Sequence, residues 1–282
     1  MRLSSFLLKG KATYGVVDDR GVLDLGARLG GGYADLKALL AGNGLADAQA
    51  LARSAGVDAK VDDVTFLPVI PNPGKIFCIG HNYEDHRVET HRAKTEHPSV
   101  FLRVAESQVG HGQSILCPRE STMLDYEGEI AIVIGKPGRR IAEADAWSHI
   151  AGYACYNDGS VRDWQWHTHQ FIPGKNFVAT GAFGPWMVSA DQISPGEELT
   201  LTTRLNGQVM QQTTTANMIF PIPRLIAYCS TFLPLAPGDV IVTGTPGGVG
   251  AKRTPPVFMK EGDVVEVEVT RIGCLRNTIA SG

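Results

Sequence analysis

The stretch Leu124-Asp125-Tyr126-Glu127-Gly128-Glu129-Ile130-Ala131-Ile132-Val133-Ile134 sets two carboxylates into what otherwise reads as a buried strand. β-Branched residues dominate its second half, and Gly135-Lys136-Pro137-Gly138 closes it with turn chemistry. Residues two apart on a pleated strand share a face, so Glu127 and Glu129 point the same way, in line with Ala131 and Val133. The opposite face, Tyr126, Ile130, Ile132 and Ile134, is apolar too. A strand covered on both sides cannot hold two adjacent carboxylates without a cation, because each unpaired buried charge costs several kcal/mol. A metal ion is one such cation. A solvated face, or pairing with Lys and Arg, is the ordinary alternative.

A second polar cluster, Tyr156-Asn157-Asp158-Gly159-Ser160-Val161-Arg162-Asp163-Trp164, follows the apolar run Ile150–Cys155. Asp158 could therefore bring a third carboxylate from a neighbouring strand. Three oxygen ligands without a thiolate suit a hard divalent ion such as Mg²⁺, Mn²⁺ or Ca²⁺, with positions left open for water or substrate.

The 282 residues are 43% hydrophobic and 20% charged, which suits a globular chain with a sizeable core. A formal charge of −3 offers no basic footprint for nucleic acid or a polybasic membrane contact. No run approaches the ~18 apolar residues of a spanning helix, and the apolar run after Met1 is too short for a signal peptide. It reads as a first strand. Five scattered cysteines, none in a Cys-x-x-Cys pair, fit reduced thiols in a cytoplasmic protein.

Residues 1–70 read as a small mixed α/β domain, with strands at 4–8, 13–17 and 22–24 and helices at 34–40 and 45–55. Pro68, Pro71 and Pro73 stiffen the next segment and mark a boundary there. Residues 71–282 are dominated by short β-runs, at 75–79, 99–102, 128–134, 199–205, 240–243 and 264–269. Asn206-Gly207 signals a hairpin, and 222–231 is the one convincing helix. The pattern predicts a mostly antiparallel, mostly β or α+β architecture, not a parallel βαβ sheet.

Ile79-Gly80-His81-Asn82-Tyr83-Glu84-Asp85-His86-Arg87-Val88-Glu89 follows a strand directly, where binding loops sit. A helical turn beginning near Tyr83 would make His86 and Glu89 neighbours, three residues apart, as in a prepared general base. An exposed pair on a polar loop is the alternative. Lys175, among apolar and turn residues, could anchor a carboxylate or oxyanion, or lie on the surface. The glycines of Thr243–Gly250 would let backbone N–H groups approach an anion, although no P-loop sequence is present. His167 and His169 alternate in an extended segment and could reach the site.

In this order, several segments together resemble the fumarylacetoacetate hydrolase family. They are Gly80-His81-Asn82-Tyr83 with His86 and Glu89, Asp125-Tyr126-Glu127-Gly128-Glu129, Asn157-Asp158 with Arg162-Asp163-Trp164-Gln165, Gly174-Lys175, Gly244–Gly250 and Gly273-Cys274-Leu275-Arg276-Asn277. The resemblance covers roughly residues 70 to 280. It implies a β-sandwich roll, a smaller N-terminal domain and a homodimer. By similarity, Glu127, Glu129 and Asp158 are the metal ligands for Mg²⁺ or Mn²⁺ (or Ca²⁺), and His86, Glu89 and Lys175 are catalytic. The substrate-facing set would be His81, Tyr83, Arg103, Asn176 and Thr245. His81, Arg103 and Asn176 depart from the family's commoner residues and are expected to shape the pocket.

The expected activity is metal-dependent hydrolysis of a C–C bond in an acylpyruvate or related 1,3-diketo acid. An isomerase or decarboxylase of a 2-hydroxymuconate-type diacid from aromatic catabolism is the alternative. A non-catalytic metal or small-molecule binder would have no need of the His86–Glu89 pair. The expected partner is a small 2-oxo or diketo acid, with no nucleic acid and no membrane.

Overall fold

The computed structural model describes residues 1–282. Its spine is an eleven-stranded mixed sheet in which Gly128–Ile134 lies near the middle, every residue buried. Ile150–Asn157 and Val240–Val242 pair with it on either side, both antiparallel. A five-stranded sheet packs across one face and gives the β-sandwich roll. It contains Thr200–Leu205, Gln208–Thr214, Val264–Val269, Gly273–Ser281 and Ile115–Cys117.

The two faces of the central strand go to two cores, as its alternation requires. Tyr126, Ile130, Ile132 and Ile134 join the core between the sheets, with Leu201, Val265, Val267, Leu275 and the helix Ile222–Phe232. Ala131 and Val133 join a second core, beneath the N-terminal helices Leu36–Ala41 and Leu45–Ser54. That second core also takes Leu3, Tyr14 and Val16 from the first strands.

The N-terminal segment is not insulated from the rest. Strand Arg2–Leu8 pairs with Gly181–Ser189, so residues 1–70 extend the same sheet and share a core with the larger part.

Most expected elements recur within one or two residues. Asn206 (φ 52°) and Gly207 (φ 80°) form the two-residue turn between Thr200–Leu205 and Gln208–Thr214. Its left-handed dihedrals match the twist of the flanking strands. Gly181–Ser189 is a strand that the pattern did not announce, because Gly184-Pro185 reads as a breaker. The pairing with Ile150–Asn157 shifts register between Tyr153 and Cys155, opposite this dipeptide. That irregularity is where a strand tolerates a proline.

Candidate metal centre and active site

The ends of three neighbouring strands of the large sheet gather most of the segments singled out from the sequence. Val240–Val242 runs parallel to Ile76–Gly80 and antiparallel to Gly128–Ile134. The loops leaving Gly80 and Val242 therefore emerge beside Glu127 and Glu129. Gly128 faces Asn157 across the ladder, and the Asp158 N–H donates to the Glu127 carbonyl at 2.8 Å. The third carboxylate thus arrives by register alone.

The triad is enclosed, with Glu127 5%, Glu129 1% and Asp158 0% exposed. One oxygen from each lies within 4.8 Å of the other two. Arg162 meets Glu127 Oε1 at 2.7 Å, and its Nε donates to Asp125 Oδ2 at 2.8 Å. Lys175 Nζ donates to Glu127 Oε2 at 2.7 Å and to Asp158 Oδ2 at 2.8 Å. Arg103 Nη1 donates to Asp158 Oδ1 at 2.5 Å.

Three cations therefore face four carboxylates: Asp125, Glu127, Glu129 and Asp158. The carboxylate without a cation is Glu129, whose Oε2 accepts a single N–H, from Gly244 at 2.5 Å. Burial, then the charges of Asp158 and Glu127, push its carboxyl well above the usual carboxylate range. Burial would also raise Glu127, but the Lys175 ammonium and Arg162 guanidinium outweigh it and hold that carboxyl low. Burial opposes the charge on Lys175 too, yet Asp158 and Glu127 keep it a cation. A buried, all-oxygen donor set that is one positive charge short fits a hard divalent cation.

His86 and Glu89 sit on the short helix Glu84–Glu89, which begins right after Tyr83. His86 Nδ1 and Glu89 Oε1 are 2.8 Å apart, and Glu89 Oε2 accepts from Gly248 N at 2.9 Å. A carboxylate can only accept, so in the neutral imidazole Nδ1 is the nitrogen that carries the proton and Nε2 the one with the lone pair. Asn82 staples this loop to the sheet, donating to the carbonyls of Thr243 (2.7 Å) and Phe220 (3.1 Å) and accepting from Phe220 N. Gly244, at φ 102°, allows the close approach: a Cβ there would lie 2.6 Å from the Asn82 Cβ.

A cavity of about 120 Å³ opens over these groups, lined among others by Glu127, Glu129, Lys175, His86, His81 and Thr245. Thr245 Oγ1 donates to the Gly128 carbonyl at 3.0 Å and accepts from Gln211 at 2.8 Å. His81 (φ 57°) stacks on His86, with ring centroids 5.3 Å apart and planes 13° apart. Burial, then the neighbouring His86 and Arg92, lowers its imidazole to about 4, so it is neutral near pH 7.

Three residues expected to face substrate do not line this cavity. Arg103 lies behind Asp158, its side chain wholly covered, and also reaches Gly159 O, Ser107 and Thr180. Asn176 is a loop latch: its amide holds the Val104 N–H and the carbonyls of Leu102 and Ile172. Tyr83 is fully buried, with its backbone bridged to Met218. His167 and His169 are exposed and outside the lining. Conversely, the cavity is lined by Arg162, Gln165, Phe171 and Arg92, to which the sequence reading gave no role. Arg162, four residues after Asp158 in the same polar cluster, was the legible one among them.

At the strand ends of a β-sandwich roll, a buried carboxylate cluster beside a carboxylate-oriented imidazole can hold a hard divalent cation and exchange a proton. Residues 75–280 match the fumarylacetoacetate (FAA) hydrolase C-terminal family, and the chain belongs to that family as one of its enzymes. It is 44% identical over 223 residues to oxaloacetate tautomerase YisK of Bacillus subtilis, covering 78% of this chain and 74% of that one. It is 43% identical over 219 residues to the mitochondrial oxaloacetate tautomerase fahd2 of Xenopus laevis, covering 77% and 69%. Among solved structures it resembles maleylpyruvate hydrolase from Sphingobium sp. SYK-6 in complex with manganese(II) and pyruvate. That likeness has a TM-score of 0.83 and 27% identity over the full length of both chains. No helix is long and apolar enough to cross a membrane.

Proposed function

We propose that the protein interconverts the enol and keto forms of a 2-oxo dicarboxylic acid, with oxaloacetate as substrate and Mg²⁺ or Mn²⁺ held by Glu127, Glu129 and Asp158. The observation that carries this reading is the identity of 43–44% to oxaloacetate tautomerases from a bacterium and a frog, across the part of the chain that builds the site. When bound, such a cation acts as a Lewis acid on a keto oxygen and makes the adjacent C–H acidic.

The chain's own groups do the rest. His86 takes and returns the proton at the carbon beside the keto group through Nε2, while Glu89 holds the ring and balances the imidazolium. Lys175 gives two of its three N–H groups to Glu127 and Asp158 and has one left for the oxygen that gains charge. Arg162 Nη2 has no partner, so its N–H is available to a substrate carboxylate. Phe101, Phe171, Trp166 and Val249 supply the apolar part of the wall.

Hydrolysis of an acylpyruvate is the second reading. It is favoured by the same His86–Glu89 pair, which could deprotonate a water, and by the likeness to a maleylpyruvate hydrolase. Oxaloacetate, acetylpyruvate and maleylpyruvate offered to the Mn²⁺-loaded enzyme separate the two. Loss of the oxaloacetate enol absorbance, with no pyruvate formed from the other two, is the expected result. Pyruvate release without accelerated ketonisation would replace the tautomerase by the hydrolase.

We also propose a homodimer. Leu102, Val104 and Ile172, brought together by the Asn176 latch, are 39%, 49% and 48% exposed and form an apolar patch suited to a second copy. The five unpaired cysteines support a reducing, cytoplasmic setting.

A further inference from the structure

Two of the four Arg and Lys side chains in the cavity wall are already matched to carboxylates. Arg162 pairs with Asp125 and Glu127, and Lys175 with Glu127 and Asp158. Arg92 and Lys252 line the same cavity and take part in no ion pair and no side-chain hydrogen bond. The two are not equivalent. The guanidinium carbon of Arg92 lies 6.0 Å from the Phe171 ring centroid, and Phe171 meets His81 edge-on at 6.1 Å. With His81 stacked on His86, these residues form an unbroken line from the mouth to the proposed base.

The backbone of Arg92 is tied to the helix that carries that base. Its N–H donates to the Arg87 carbonyl at 3.0 Å, and Arg87 Nη1 donates back to the Arg92 carbonyl at 2.5 Å. Arg87 itself is held by Glu84. A second hollow of about 260 Å³ shares Gly80, His81, Arg92 and Phe171 with the first and adds Lys94. The mouth is therefore basic on this side, with the unpaired Arg92 guanidinium in the wall of both hollows.

We propose that Arg92 recognises the distal carboxylate of a 2-oxo dicarboxylate and sets a preference for diacids over otherwise identical substrates lacking that charge. The inference rests on the enolisation reading above. It adds the residue that selects the substrate class. A 2-oxo diacid brings two carboxylates; one lies at the triad end, near Arg162, and the other needs a cation about one substrate length away. A guanidinium supplies paired N–H donors to a carboxylate, which the lone ammonium of Lys252 does not. Arg92 touches no reacting atom, so it acts on binding rather than on the proton transfer.

The test compares oxaloacetate with its 4-methyl ester, which keeps the enolisable carbon but loses the distal charge. The Mn²⁺-loaded wild type, Arg92→Gln, Arg92→Lys and Lys252→Gln enzymes are assayed with both. Arg92→Gln is expected to raise KM for oxaloacetate roughly tenfold, leave kcat within about twofold and leave the ester unchanged, as loss of one charge-assisted contact predicts. Arg92→Lys should restore part of the loss, and Lys252→Gln should keep the wild-type ratio. An unchanged diacid-to-ester ratio in Arg92→Gln, or its loss in Lys252→Gln, overturns the assignment. Calorimetric binding of both compounds to wild type and Arg92→Gln separates this from failure of the enolisation reading. A wild type that binds the diacid better, through Arg92, but accelerates no ketonisation would refute the reaction and keep the residue. Equal binding of both compounds by wild type and variant would refute the residue.

Discussion

Asp158 donates its backbone N–H to the carbonyl of Glu127 at 2.8 Å, one residue beyond the pairing of Gly128 with Asn157. This contact between two metal-ligand candidates fixes their separation through the sheet rather than through flexible side chains. A site built on ladder register is rigid, which is what a coordination sphere and a near-attack geometry both need.

Arg103 supports that sphere from behind. It is buried and bonded to Asp158, Gly159, Ser107 and Thr180, so Arg103→Met would leave Asp158 with Lys175 as its one cationic partner. Losing a group that orients a ligand costs about 10–100-fold in metal affinity. Mn²⁺ titration by calorimetry should show a drop of that order, and wild-type affinity in the variant would contradict the assignment. The variant should also unfold earlier, since breaking a buried pair costs ~3–5 kcal/mol.

His86 and Glu89 touch none of the three carboxylates through hydrogen bonds, so their loss should separate catalysis from cation binding. His86→Asn is expected to lower kcat by about 10²–10⁴ with Mn²⁺ affinity retained. Glu89→Gln should cost less, because the ring is still held but the imidazolium loses its counter-charge. Steady-state kinetics alongside calorimetry checks both. Unchanged kcat in His86→Asn removes the proposed base.

His81 gives the fold an acid sensitivity of defined sign. Its imidazole is lowered to about 4 in the folded protein, against about 6.5 when unfolded. The unfolded chain binds the extra proton first. Stability from this group is therefore complete above pH 6.5 and is lost as pH falls toward 4. His81→Gln should remove that slope. Urea unfolding at pH 7 and pH 5 is expected to show the wild type losing on the order of 1 kcal/mol more than the variant, after allowance for the side of the ring that faces the open cavity. Equal losses would place His81 in water rather than against His86.

The parts of this site that were legible in the sequence are those fixed by local geometry. Glu127 and Glu129 share a face because a strand has period two, and His86 and Glu89 meet because three residues span nearly one helical turn. Asp158 was legible because an apolar run ahead of it announced a strand. What stayed hidden depends on contacts between distant segments. Nothing near Arg103 in the chain says that its guanidinium turns away from the cavity toward Asp158, 55 residues on. Nor does the loop around Asn176 reveal that its amide latches Leu102 and Val104. Arg92 stands out only once Arg162 and Lys175 have been paired off, and its contact with Phe171 then separates it from Lys252.

Glu127, Glu129 and Asp158 are proposed to hold a divalent cation that the reaction requires. The most direct test strips the enzyme with a chelator and follows oxaloacetate ketonisation as Mn²⁺ is returned, in wild type and in Glu129→Gln. Background rates without metal, saturable recovery at one ion per chain, and recovery in Glu129→Gln only at much higher Mn²⁺ concentration are expected. Full activity in the stripped enzyme, or identical Mn²⁺ curves for the two proteins, would contradict it.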